Sequence, residues 1–281
     1  MPTYREILRI NEQYALDNDK EDSAVKILLL HFAAMTSSEL LLHLDDEMPD
    51  DQYQDFLYAV DRYVTKDIPV QHITGKEWFF GYEFLVSPDV LIPRFETEEL
   101  VANTLLLYDE VFESRPVNAL DIGTGSGCLA ITLRLEEPNM TMTATDISDD
   151  ALAIAKENAI RLNADVTFLQ GDLLEPVQGQ RFDLVVANPP YIPDAEYVET
   201  IVKDREPHIA LFGGADGLDL YRRILKGLPG ILNERYLIAF EHGFDKAKQL
   251  RRLIESALPE ATIVAKKDMQ GKDRMMFAYR K

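Results

Sequence analysis

The chain has 281 residues, 46% hydrophobic and 28% charged, with a net charge of −20. This suits a globular protein of one large and one smaller domain; no apolar run of about 18 residues exists to span a bilayer, so no membrane association is expected. The acidity argues against binding by phosphate neutralisation, and a single cysteine, Cys128, excludes an internal disulfide.

Residues 1–75 read as a helical bundle. Ser23 to Met35 carries Ala24, Ile27, Leu28, Leu30, His31 and Ala34 at helical spacing. Ser37-Ser38-Glu39 is expected to cap a helix from Leu40 to Leu44. Pro49-Asp50-Asp51 opens another, with Phe56, Leu57, Val60 and Val64 on one face, and Pro69 ends it. Residues 1–80 hold 7 Lys and Arg against 16 Asp and Glu, so this part is acidic and carries no catalytic constellation. Residues 76–93 form a linker built on a β-hairpin, Trp78 to Val86, joined at Gly81 or at Ser87-Pro88.

Residues 94–281 form the large domain. Thr97 is placed to cap a helix from Glu98 through Leu107. From Val117 strands and helices alternate. Strands are expected at Val117–Leu120, Met142–Asp146, Val166–Leu173, Phe182–Ala187, Tyr236–Glu241, Thr262–Ala265 and Arg274–Tyr279. Helices are expected from Cys128, from Ala195, over Leu218–Leu228 and over Asp245–Ala257. The last two strands are close enough to pair as a hairpin. The pattern predicts an α/β fold with a doubly wound, mostly parallel, seven-stranded Rossmann-like sheet.

Two motifs carry the chemistry. Asp121-Ile122-Gly123-Thr124-Gly125-Ser126-Gly127 is a strand, a glycine turn and the opening of a helix, where backbone can approach a ligand closely. The loop alone is ambiguous between a dinucleotide and S-adenosylmethionine. Asp121 suits a cationic amino-acid tail better than a pyrophosphate, and the loop holds no Lys or Arg. Asp146 ends the next strand about 20 residues on and suits ribose hydroxyls. The second motif, Asn188-Pro189-Pro190-Tyr191, stops a buried strand abruptly, because two prolines cannot continue a sheet. It presents an amide side chain at the strand's carboxyl end. The Asn188 side chain and the Pro189 carbonyl offer two fixed acceptors for a planar –NH2 group, and Tyr191 adds a flat face. Cys128 reads as a packing residue. The five histidines show no metal-ligand spacing, and no metal is expected.

Nearly end to end, the chain resembles the bacterial peptide-release-factor glutamine methyltransferases, the HemK-type family. The resemblance rests on Leu91-Ile92-Pro93-Arg94 with Thr97-Glu98, Asp121 to Gly127, Asp146-Ile147-Ser148, Asn188 to Tyr191, Glu206-Pro207-His208 with Ala210-Leu211, Asp216-Gly217-Leu218 and Tyr221-Arg222. One departure is Phe95-Glu96, where the family usually has a proline followed by an acid. The resemblance implies S-adenosyl-L-methionine as cofactor, bound by Asp121, Gly123, Thr124, Gly125, Ser126, Gly127, Asp146, Asp172, Leu173 and Asn188. Asp172-Leu173 would lie by the adenine. A glutamine from the Gly-Gly-Gln loop of a class I release factor would be held by Asn188, Pro189, Pro190 and Tyr191. Asn188, Pro189 and Tyr191 are the implied catalytic residues, with no strong general base. The helical domain would contact the release factor. Cysteine usage and a start, Met1 to Glu6, without a signal peptide's regions lead to an expected cytoplasmic location. Two other readings compete. An adenine methyltransferase of DNA or RNA predicts a basic groove, and no direct nucleic-acid binding is expected of a chain this acidic. A non-catalytic nucleotide-binding protein leaves Asn188 to Tyr191 unexplained.

Overall fold

The computed structural model describes residues 1–281, apart from the side chain of Thr200. It divides into two compact units, Met1–Lys76 with Glu199–Arg205, and Glu77–Val198 with Glu206–Lys281.

The smaller unit is built on α1 (Tyr4–Leu16), α2 (Ser23–Ala33), α3 (Ser37–Leu42), α4 (Asp50–Lys66) and α5 (Val70–Thr74). A capping box starts α1, with Thr3 and Glu6 satisfying each other's free amides. Another starts α3, and its cap is Thr36 rather than the expected serines, because Glu39 is three residues after Thr36. The long helix expected to reach Pro69 ends sooner. Asp67 turns left-handed at φ 52°, and Pro69 instead begins the short α5. Leu28 and Leu29 of α2 are buried with Ile7, Phe56 and Val60. Burying side chains of this size stabilises by about 1.5–3 kcal/mol each, before the entropy cost of ordering them.

In the larger unit, β1 (Lys76–Phe79) and β2 (Tyr82–Leu85) form the hairpin. Phe80 and Gly81 both have positive φ, 52° and 82°, as a two-residue hairpin turn requires, so the chain reverses at Gly81 and not at Ser87-Pro88. There follow α6 (Phe95–Phe112), β3 (Val117–Ile122), α7 (Cys128–Glu136), β4 (Met140–Asp146), α8 (Asp149–Leu162), β5 (Val166–Gln170) and β6 (Phe182–Ala187). The helix expected from Ala195 is two single turns. They are α9 (Thr200–Lys203), in the smaller unit, and α10 (His208–Leu211), which starts after Pro207. The chain ends with α11 (Asp219–Gly227), β7 (Leu232–Glu241), α12 (Ala247–Ala257), β8 (Thr262–Lys267) and β9 (Asp273–Arg280).

Seven strands form one sheet in the order β5-β4-β3-β6-β7-β9-β8. The first five in that order are parallel, and β9 runs antiparallel between β7 and β8. Strand β6 shows why the run Leu184–Ala187 is apolar throughout. Leu184 and Val186 enter the core on one face, Val185 and Ala187 the core on the other. The chain winds outward from β3 to β5 and then returns to place β6 beside β3, with Ile122 opposite Ala187. That reversal is the switch point of the sheet. The glycine loop and Asn188 leave its two sides at the carboxyl ends of neighbouring strands.

Candidate active site

A cavity of about 370 Å³ opens above the switch point. Gly123, Thr124, Gly125 and Ser126 line it after β3, Asp146 after β4, Asp172 and Leu173 after β5, and Asn188 and Pro190 after β6. Leu91, Pro93, Arg94 and Thr97 close another side, and Ile209, Phe212 and Gly213 a third.

The loop is held from beneath. Asp121 is 0% exposed, and its Oδ2 accepts the Thr124 hydroxyl at 2.6 Å. Oδ1 has no hydrogen-bond partner. Burial pushes this carboxyl up to about 7, partly offset by the Thr124 bond. Asp146 spans the cavity wall, accepting the Gly125 amide on Oδ2 and the Ser148 amide on Oδ1, each at 2.9 Å. Each oxygen keeps a lone pair for a further donor. Asp172 is ion-paired with Arg223, which also lines the cavity. Glu206, buried at 4% exposure, accepts the Ile92 amide at 3.0 Å and pairs with Arg94, fixing the 91–94 segment at the rim.

At the other end, Asn188 Nδ2 donates to Thr97 Oγ1 at 3.2 Å, and the Thr97 hydroxyl donates to Glu241 Oε2 at 2.7 Å. The Tyr191 hydroxyl lies 3.4 Å from Glu241 Oε1. Arg274 Nη1 is 3.5 Å from the same hydroxyl. Desolvation pushes Glu241 up to about 7 and Tyr191 far above its ordinary value. The expected capping role of Thr97 is therefore replaced. Helix α6 begins at Phe95 with Arg94 before it, and the Thr97 side chain turns into this network instead of onto the helix end.

Four of the residues singled out in the sequence do not line the cavity. Asp121 lies under the loop. Gly127 makes room for packing, since a Cβ there would sit 2.8 Å from Ile131 Cδ1 and 3.1 Å from Ala155 Cβ. Pro189 is buried. Tyr191 packs against the core and points its hydroxyl at Glu241. Conversely, nothing in the motifs pointed to Glu241 or Arg274. The available signal was an acid ending the otherwise apolar run Tyr236 to Phe240.

The residues fit S-adenosylmethionine. Asp146 lines the cavity with a lone pair to spare on each carboxylate oxygen, which suits a pair of ribose hydroxyls. No atom stands within 4 Å of where a Cβ would lie on Gly123 or Gly125, so a ligand can approach the backbone there. Among the described residues no group of three His, Cys, Asp or Glu is disposed to hold a metal, and no helix is long and apolar enough to cross a membrane.

Residues 91–208 match the family pattern described as "Methyltransferase small domain", and residues 9–75 match "PrmC N-terminal domain". The chain is 40% identical over 277 residues to the release factor glutamine methyltransferase of Bacillus cereus, covering 97% of this chain and 98% of that one. It is 40% identical over 286 residues to that of Bacillus subtilis, covering 99% and 98%. A solved methyltransferase from Pyrococcus furiosus shares the fold at a TM-score of 0.52 and 19% identity, over 82% of this chain and 98% of that one.

Proposed function

The chain belongs to the release factor glutamine methyltransferases, and from that premise we propose how its residues carry the reaction. It transfers a methyl group from S-adenosylmethionine to the side-chain nitrogen of the Gly-Gly-Gln glutamine of a class I release factor. The observation that supports this most is that one cavity joins the glycine loop to Asn188 across the β3–β6 switch point. A donor site and an acceptor site thus share one cavity.

The cofactor supplies an electrophilic methyl on a sulfonium. Asp146 would take the ribose hydroxyls, Asp121 would act on the amino-acid tail through the loop, and Leu173 would lie by the adenine. The acceptor nitrogen is a poor nucleophile because its lone pair is delocalised into the amide. Asn188 Oδ1 accepts one of its N–H groups at the cavity wall, and the carbonyl of Pro189, buried next to it in the chain, is assigned the other. They aim the nitrogen at the methyl and stabilise the positive charge that develops on it. Tyr191 supports the site from behind, packed on the core with its hydroxyl on Glu241. The proton leaves after transfer, so the account needs no strong base.

We further assign residues 1–75 to recognition of the release factor, 76–93 to a linker and 94–281 to methyl transfer. Glu199–Arg205 belongs to the bundle's unit: Ile201 packs on its core and the Arg205 guanidinium bonds the Lys66 and Asp67 carbonyls. Deleting 1–75 would strip that segment of its core, so surface substitution is the sounder test. Replacing the exposed acids Asp50, Asp51 and Asp55 with lysine should lower kcat/KM for intact release factor about 10-fold or more and leave a Gly-Gly-Gln peptide unchanged. Equal effects on both acceptors would remove recognition from this face.

The choice of acceptor is tested by offering labelled methyl donor with release factor, or with adenine-containing DNA and RNA. Label on the nucleic acids and none on the protein would replace this reading with the adenine one.

A further inference from the structure

We propose that Glu241 is a positioning residue that sets which end of the Asn188 amide faces the substrate. The inference rests on the acceptor role given to Asn188 above.

Hydrogen-bond polarity fixes the orientation. An ionised carboxylate only accepts, so Glu241 takes the single proton of the Thr97 hydroxyl at 2.7 Å. The Thr97 oxygen then has only lone pairs to offer Asn188. The amide must therefore turn its Nδ2 toward Thr97, as it does at 3.2 Å, and this leaves Oδ1 free as an acceptor. A substrate –NH2 needs acceptors, so this is the productive orientation. If Glu241 is protonated it can donate to Thr97. The hydroxyl proton is then free to point at Asn188 and reward the opposite orientation, with –NH2 facing –NH2. Two flips of one amide differ little in shape, so electrostatics decides between them.

Glu241 is well placed to hold the decision. It is 1% exposed and lies at the end of β7, opposite Met275 of β9. The groups facing it are Glu96 and Thr97 from α6, Cys128 from α7, Tyr191 from the loop after β6, Tyr221 from α11 and Arg274 from β9. Burial raises its carboxyl to about 7. Thr97, Arg274 and Tyr191 oppose the rise, and Glu96 adds to it. The Tyr221 hydroxyl bonds the Glu241 carbonyl and fixes the backbone. The charge state of Glu241 thus changes near neutrality, and turnover should fall as pH drops through about 7.

The test uses the full chain. With S-adenosylhomocysteine bound and asparagine nitrogen-labelled, the Asn188 side-chain resonance is assigned by its loss in Asn188→Ala. In the wild type it should titrate with a midpoint of about 7. In Glu241→Gln it should be independent of pH. At saturating S-adenosylmethionine, where the pH dependence of cofactor binding drops out, kcat on release factor should lose its acid limb in Glu241→Gln. Thr97→Val should lower kcat about 100-fold, and Thr97→Ser, which keeps the hydroxyl, should recover to within about 3-fold of wild type. Glu241→Gln added to Thr97→Val should cost little more, because both break one chain. S-adenosylhomocysteine affinity should stay within about 2-fold throughout, which separates positioning from cofactor binding. An Asn188 resonance indifferent to pH in the wild type, or an acid limb retained by Glu241→Gln, overturns the proposal. A wild type that transfers no methyl to release factor overturns the functional reading instead, and the resonance titration then decides the polarity chain by itself.

Discussion

Asp146 and Gly125 are tied together by a hydrogen bond from the Gly125 amide to Asp146 Oδ2 at 2.9 Å, so the acid of the cavity wall also holds the glycine loop in shape. Removing the carboxylate should therefore do two things. Asp146→Ala should weaken S-adenosylhomocysteine binding about 10- to 100-fold, through lost bonds to a charged acceptor. It should also speed hydrogen exchange at the Gly125 amide in the ligand-free protein. Weakened binding with unchanged exchange would limit Asp146 to ligand contact.

Asp121 makes cofactor binding depend on pH. Its carboxyl is raised to about 7, mainly by burial, so near neutrality much of it carries a proton. A cationic group at the loop favours the ionised form. Binding near that pH should release a proton, and affinity should fall as pH drops below about 7. Calorimetry in buffers of different ionisation heat measures the proton directly, and Asp121→Asn should abolish it. The sign for stability follows, since the folded value lies above the unfolded one of about 3.9. The stabilising contribution of this group is fully present below the unfolded value and lost as pH rises through about 7. The ligand-free wild type should thus lose Tm over that window, and Asp121→Asn should lose less.

Asn188→Ala should separate chemistry from binding. Losing one group aligned on the reacting centre typically costs about 100-fold or more in rate. Cofactor affinity should stay within about 3-fold, since Asp146 and the glycine loop are untouched. Near-normal turnover by this variant would show that Asn188 does not hold the amide.

The turn after β6 is also held from behind. A Cβ on Gly217, where φ is +76°, would stand 2.2 Å from the Tyr191 carbonyl oxygen, and one on Gly213 would stand 2.3 Å from that of Pro190. Backbone cannot yield as a flexible side chain does. Gly217→Ala should lower stability by about 2 kcal/mol or more and reduce turnover along with it. Thermal denaturation and single-turnover rates check this. A variant with wild-type Tm and rate would show that the turn tolerates displacement.

Where the chemistry is local, the sequence was readable. Strand β6 declares itself by the apolar run Leu184–Ala187 stopped just after by two prolines, and the glycine loop by its spacing between β3 and α7. Their adjacency is what the α/β winding rule predicts for strands on either side of a reversal. What was not legible depends on contacts distant in the chain. Thr97 looks like a helix cap from its neighbours, yet its hydroxyl is claimed by Glu241, 144 residues away. Glu241 itself reads as the polar end of a strand until α6 is laid beside it. Glu206 was visible only as part of a motif, because its partners Ile92 and Arg94 lie more than a hundred residues earlier. Of the helix expected from Ala195 only two short turns form, and Pro207, which cannot continue a helix, stands between them.

The most direct measurement is the site of the methyl group itself. Purified class I release factor is incubated with this protein and methyl-labelled S-adenosylmethionine, digested, and sequenced by mass spectrometry. The account predicts one added methyl on the side-chain nitrogen of the glutamine in the Gly-Gly-Gln loop, and none when that glutamine is replaced by alanine. A methyl at any other residue, or an unmethylated release factor under conditions where S-adenosylhomocysteine binds, would contradict it.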